Sequence, residues 1–151
     1  MAKAGYTAEV GAAVALSAAT AKTVLSVIAP AQFGVDLIKY RIGFDGVTAS
    51  AVPVVVELVT WTTDGTGTSG TVVQVYGRSI TAGFTTKYNY SAEPTTPTLV
   101  DRFTLTPNGG TLVYDFPLGT SPDTAVSNLI GLRCTAPAAV NVNATMWFER
   151  C

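Results

Sequence analysis

The alternation across Val35–Trp61 constrains this chain more than any other stretch. In VDLIKYRIGF, Ile38, Tyr40, Ile42 and Phe44 recur at every second position, with Lys39 and Arg41 between them. That is the pattern of a strand with one buried and one wetted face. The next run, VVVELVTW, is apolar on both faces. Val54, Val56 and Leu58 share one side; Val55, Val59 and Trp61 share the other, relieved only by Glu57. A strand apolar on both faces needs cover on both. A connection opening with Asp45-Gly46 joins the two runs, and together they read as a hairpin.

Further strands follow the same logic. Thr23–Ile28 is a short β run stopped by Ala29-Pro30-Ala31, Thr71–Tyr76 is another, and Phe84–Tyr90 places Phe84, Thr86, Tyr88 and Tyr90 on one face. Asp64–Gly70 reads as a flexible turn and Glu93–Thr98 as a Pro/Thr loop. Leu99–Leu105 leads into Pro107-Asn108-Gly109-Gly110, a tight-turn signal. Across that turn Thr111–Phe116 is expected to pair back, with Leu112, Tyr114 and Phe116 inward. Leu129–Thr135 and Val142–Glu149 close the series around Ala136-Pro137-Ala138. Eight to nine short strands with turn signals between them, and no amphipathic helix pattern, predict an all-β, single-domain antiparallel sandwich or barrel. The long crossings Asp64–Gly83 and Pro117–Asn128 favour a jelly-roll-like sandwich. Residues 1–22 form an extended N-terminal arm or first strand and residues 23–151 the sandwich. The arm imitates a secretory signal, but Glu9 and its weak Gly/Ala hydrophobicity argue for an arm.

Charged residues make up 13% of the 151-residue chain and hydrophobic ones 48%, against roughly a quarter charged in an average soluble domain. So little charge on so apolar a chain points to surface hidden by self-association. By alternation Trp61 and Trp147 face away from the core residues of their strands. With Val55 and Val59 they are the candidate subunit interface. Net charge is −1 with no basic run, so nucleic acid is not an expected partner. Apolar runs stay well short of the roughly 20 residues of a membrane span.

The chain has no histidine, which removes the usual activation of a Ser or Cys nucleophile and the commonest metal ligand. Zinc, calcium and phosphate-loop signatures are missing, and no cofactor or catalytic residue is expected. Asp101 and Asp115 would lie close in a hairpin about Asn108-Gly109, but read as ordinary hairpin residues. Cys134 alternates with Ile130 and Leu132 and is expected as a buried free thiol; Cys151 ends the chain, and the pair is no disulfide framework.

Four segments together resemble a known family: LSAATAKTVLSVIAPA, KYRIGFDGVTASAVPVVVELV, PNGGTLVYDFPLG and LIGLRCTAPAAVNVNATMWFE. The chain, from about Leu16 to Glu149, is similar to small tailed-phage virion proteins of the kind related to jelly-roll head decoration (cement) proteins. Thr62–Gly83 and Arg150-Cys151 fall outside the pattern. The resemblance implies a homotrimer on the capsid exterior that contacts the major capsid protein, made in the host cytoplasm and carrying no catalytic site. The alternatives are a tail, neck or fibre component on the same fold, or a secreted trimeric jelly-roll ligand or carbohydrate-binding module.

Overall fold

The computed structural model describes residues 4–47 and 52–150, and thirteen strands run through them with no helix among the described residues. They are β1 (Gly5–Glu9), β2 (Val14–Leu16), β3 (Ala21–Ile28), β4 (Val35–Phe44), β5 (Val54–Thr63), β6 (Thr66–Ser69) and β7 (Val72–Tyr76). Then come β8 (Thr85–Ala92), β9 (Thr95–Leu105), β10 (Thr111–Asp115), β11 (Asp123–Thr124), β12 (Leu129–Thr135) and β13 (Val140–Arg150). The eight or nine expected strands become thirteen because β1, β2, β6 and β11 are short pieces in stretches read as arm or loop. β9 also starts inside the Pro/Thr segment, where Pro97 is tolerated because β9 is an edge strand.

The fold is all-β: two antiparallel sheets packed as a β-sandwich. The first sheet has the order β10-β4-β13-β1-β7, with β2 on β13 and β11 on β4; the second has the order β6-β8-β3-β12-β5-β9. Between them lies the main core, to which Tyr6, Leu37, Ile42 and Phe148 contribute from the first sheet and Leu25, Leu58, Ile130 and Leu132 from the second. Burying such side chains is the main driving force for the fold, at roughly 25 cal/mol per Å² of apolar surface. Cys134 lies in this core as a free thiol, and burial pushes its ionisation well above the ordinary thiol range. Cys151 lies outside the described residues.

Strand β1 runs between β13 and β7. Tyr6 and Ala8 point into the core, and the Tyr6 hydroxyl donates to the Ile80 carbonyl at 2.8 Å. On β4 the expected alternation breaks once. Lys39 pairs with Trp147 and Leu37 with Phe148, which leaves Ile38 as a bulge residue. Leu37 therefore takes the buried place expected for Ile38, while Tyr40, Ile42 and Phe44 face inward as expected.

No two strands consecutive in the chain pair with each other among the described residues. Both expected hairpins are instead arches between sheets. β4 belongs to the first sheet and β5 to the second, and β9 pairs with β5 whereas β10 pairs with β4. The Asn108-Gly109 turn is tight, with the Gly110 amide donating to the Thr106 carbonyl at 3.1 Å, but it turns a corner rather than closing a ladder. Asp101 and Asp115 consequently lie in different sheets.

One long-range pairing organises the second sheet. β5 pairs with β9 from Val54↔Leu105 to Thr63↔Thr95, and the ladder resumes as β6 on β8 from Thr66↔Ala92 to Ser69↔Lys87. The two make one continuous antiparallel ribbon, interrupted where Asp64-Gly65 faces Glu93-Pro94. Its first half flanks β12 and its second half flanks β3, so the ribbon must cross from one side of the β3–β12 pair to the other. The crossing is tight. A side chain on Gly65 would put its Cβ 2.2 Å from the Ala92 carbonyl oxygen, so only glycine fits.

Candidate interaction surfaces

The crossing ribbon explains the second apolar face of β5. Val59 and Trp61 do lie opposite the main core, as alternation predicts, but they are 0% and 1% exposed. They form a separate small cluster with Leu129, against which Ile28 packs. Beyond Trp61 the chain lies over this face: Asp64 accepts from the Tyr90 hydroxyl at 3.0 Å and forms an ion pair with Lys87, both on β8. Tyr90 itself reaches this face because Asn89 has a φ of 50°, which breaks the alternation of β8. Its hydroxyl also meets the buried Ser26 hydroxyl at 2.6 Å. Burial raises the Tyr90 ionisation above the ordinary phenol range, opposed by the Ser26 hydrogen bond and helped by Asp64.

Glu57, the single charge of β5, is 5% exposed. Arg102 and Arg133, its neighbours on the flanking strands, reach its two carboxylate oxygens at 2.9 and 2.7 Å. A buried carboxylate is tolerated when paired and hydrogen-bonded in this way. At the far end of β3, Glu93 accepts from the amide and the hydroxyl of Thr23. The Trp61 indole nitrogen is buried and has no hydrogen-bond partner.

The four residues expected at a subunit interface are thus dispersed. Val59 and Trp61 are buried inside the fold under the chain's own ribbon, so another molecule could reach them only by unfolding it. Val55 is half-buried on the same face. Trp147 lies on the solvent face of the first sheet, half-buried, with Lys39 and Arg41 above its ring at 5.2 and 5.9 Å from the centroid. The two tryptophans stand on opposite outer faces of the sandwich.

β9 and β10 are edge strands of the two sheets, and an aromatic side chain of each meets Tyr40 of β4. Tyr40, itself buried, stacks on Phe103 of β9 and on Tyr114 of β10, and Phe116 tilts against it, with centroids 5.8–6.1 Å apart. Burial, then the charges of Asp101 and Tyr114, push the Tyr40 hydroxyl up to about 12. On these two edge strands Leu99, Val100, Val113 and Tyr114 are 42–51% exposed, with Val113 level with Arg41 on the outer face of the first sheet, and Leu118, just beyond β10, is 99% exposed. A bulge at Val100, between Asp101↔Leu58 and Leu99↔Val59, turns both Leu99 and Val100 toward solvent. The Asp101 carboxylate accepts from the Arg102 amide at 2.8 Å, occupying one donor of this edge. Sequence reasoning missed these edges: Tyr114 reads as inward, Leu99, Val100 and Val113 as members of a hairpin and Leu118 as loop, and the placement of β9 and β10 at two sheet edges is what the sequence does not show.

Compared with protein-family models, curated proteins and solved structures, the chain finds no match. Among the described residues no group of three or more His, Cys, Asp or Glu side chains lies together as a metal cluster would.

Proposed function

We propose that this protein is a structural component of a tailed-phage virion: a decoration protein that binds the outside of the head as a homotrimer, contacts the major capsid protein and stabilises the shell. The observation that carries this reading is the pair of edge strands β9 and β10, which with the segment just beyond β10 present five large apolar side chains to solvent. Exposed apolar surface of this kind, in a chain with so few charges, is what association surfaces are made of. The resemblance of the four sequence segments supports the step from association to the virion. A jelly-roll connectivity belongs to the same reading, supported by arches that carry the chain from sheet to sheet. Repeated on a lattice, many modest contacts of one surface would add up to strong retention.

The test is to compare phage particles with and without the protein. Particles lacking it should lose their contents at lower temperature, and added protein should restore resistance while binding in many copies over the head. Protein found in a few copies at the tail, or protein that stays monomeric and ignores heads, would overturn the reading.

A further inference from the structure

We propose that the solvent face of the first sheet holds a binding site for a carboxylated sugar, in the trough between Glu9 and Arg41. The registers set the outward side chains in rows across β1, β13, β4 and β10. One row reads Thr7–Trp147–Lys39–Asp115, the next Glu9–Thr145–Arg41–Val113, and the third Asn143–Gly43–Thr111. In the middle row a carboxylate and a guanidinium stand on either side of one small hydroxyl residue, their backbones two strand spacings, about 10 Å, apart. In the third row Gly43 presents no side chain. The result is a depression of about 330 Å³ whose lining includes Glu9, Arg41, Gly43, Thr111, Asn143 and Thr145. That is the lower end of small-ligand pockets, matched to a single ring.

The chemistry of the lining selects the ligand class. Arg41 is held from one side by the Trp147 ring and touches Thr145 Oγ1 at 3.5 Å. Among the described residues neither Arg41 nor Glu9 has an ion-pair partner. A guanidinium carries five donors in a fork that matches a carboxylate, and most of this fork is unused. Lys39 differs: it is paired with Asp115 at 3.5 Å. Opposite Arg41, the Glu9 carboxylate repels a second negative charge and accepts from hydroxyl groups. Thr111, Asn143 and Thr145 offer neutral donors and acceptors between the two. A ligand with one carboxylate at one end and hydroxyls along the rest satisfies every group; a plain anion satisfies only Arg41, and a neutral sugar leaves it unpaired. The cations above Trp147 occupy that ring, so recognition is by hydrogen bonds rather than stacking.

The experiment is an NMR titration of the full ¹⁵N-labelled chain with glucuronate, glucose and acetate in parallel. Glucuronate should give saturable shifts at Thr111, Asn143 and Thr145, and at least about tenfold weaker binding to Arg41→Gln, which loses a charge-assisted pair. Gly43→Ala should also weaken binding, because its Cβ would fill the trough 3.2 Å from Thr111 Oγ1. Both sites lie on the solvent face, and unchanged melting of the variants confirms that they fold. Equal binding of acetate overturns the sugar, equal binding of glucose overturns the carboxylate, and no saturable shift with any of the three overturns the site. Each outcome is independent of whether the protein binds phage heads.

Discussion

The outer faces of the two sheets each carry one tryptophan, and the two end in opposite states. On the second sheet Trp61, Val59, Leu129 and Glu57 are all at least nine-tenths buried, although they point away from the main core. On the first sheet Trp147 lies half-buried among Lys39, Arg41 and Thr145, with solvent beyond. The strands beneath also differ in pattern: Val55 and Val59 accompany Trp61 on β5, whereas Asn143 and Thr145 accompany Trp147 on β13. They differ as well in whether another part of the chain returns over them. The ribbon of β5–β6 and β8–β9 crosses the second sheet at Asp64-Gly65 and Glu93-Pro94, while nothing among the described residues crosses the first. An outward tryptophan is therefore a statement about its strand, and its burial a statement about a segment elsewhere in the sequence.

The largest expected effect breaks or confirms this contrast directly. Trp61→Ala should cost about 3–5 kcal/mol, the range for emptying a closed aromatic site, and Trp61→Asp should leave the chain unfolded. Trp147→Ala should cost about 1 kcal/mol or less, the scale of an exposed cation–π contact. Urea unfolding of the two variants side by side is sufficient. Equal costs would mean that the ribbon does not close over Trp61.

Next comes Glu57→Ala, which strands Arg133 beside a buried gap. Breaking a fully buried pair costs roughly 3–5 kcal/mol, but the Arg102 side chain is 62% exposed and can turn to water. The expected loss is about 2–3 kcal/mol on that scale, and Arg102→Ala should lose well under half as much. Tyr90→Phe is smaller again. It removes the hydroxyl that ties β3 at Ser26 to the crossing at Asp64, worth about 1–2 kcal/mol with partners left unsatisfied. It should also raise hydrogen exchange around Asp64 more than around Trp147; a uniform change would mean that Tyr90 does not anchor the ribbon.

The aromatic stack on Tyr40 has a pH signature of its own. The Tyr40 hydroxyl is raised from 10.0 to about 12 in the folded chain. A raised acid favours the neutral form in the fold, so its contribution is fully present below pH 10 and is lost as pH rises toward 12. Stability should fall across that window, and Tyr40→Phe should flatten part of the fall. An unchanged slope would mean that Tyr40 ionises as freely as in the unfolded chain.

The strand regions were legible because alternation is local: Leu129–Thr135 is read to the residue, and the all-β class follows from the lack of any helical period. Partners were not legible. Pro107-Asn108-Gly109-Gly110 says that the chain turns, but the same turn serves a hairpin or a corner between sheets. Because every pair joins strands distant in sequence, as Val54 does with Leu105, no local signal could reveal the ribbon. The same non-local pairing places folding among slow all-β cases, in milliseconds to seconds. The bulges at Ile38 and Val100 and the turned backbone at Asn89 each shift a face by one residue, which alternation alone cannot register. The exposure of both Leu99 and Val100 depends on the second of these.

The β9 and β10 edges yield the smallest effect on stability and the sharpest separation of faces. Leu99→Asp and Leu118→Asp place charges where the side chains are 51% and 99% exposed, so each should change stability by no more than about 0.5 kcal/mol. If these edges are the association surface, the same charges should abolish oligomer formation in sedimentation and binding to heads. The first lies on β9, before the corner at Asn108-Gly109, and the second in the turn that follows β10. Loss from both marks both places as the contact. Loss from Leu118→Asp alone confines it to the segment after β10, and loss from neither moves the association surface to another part of the molecule. Trp147→Asp discriminates the last case: it should leave association intact while Leu99→Asp destroys it. The reverse result would return the interface to the first sheet's outer face, where Trp147 alone of the two tryptophans can reach a neighbour.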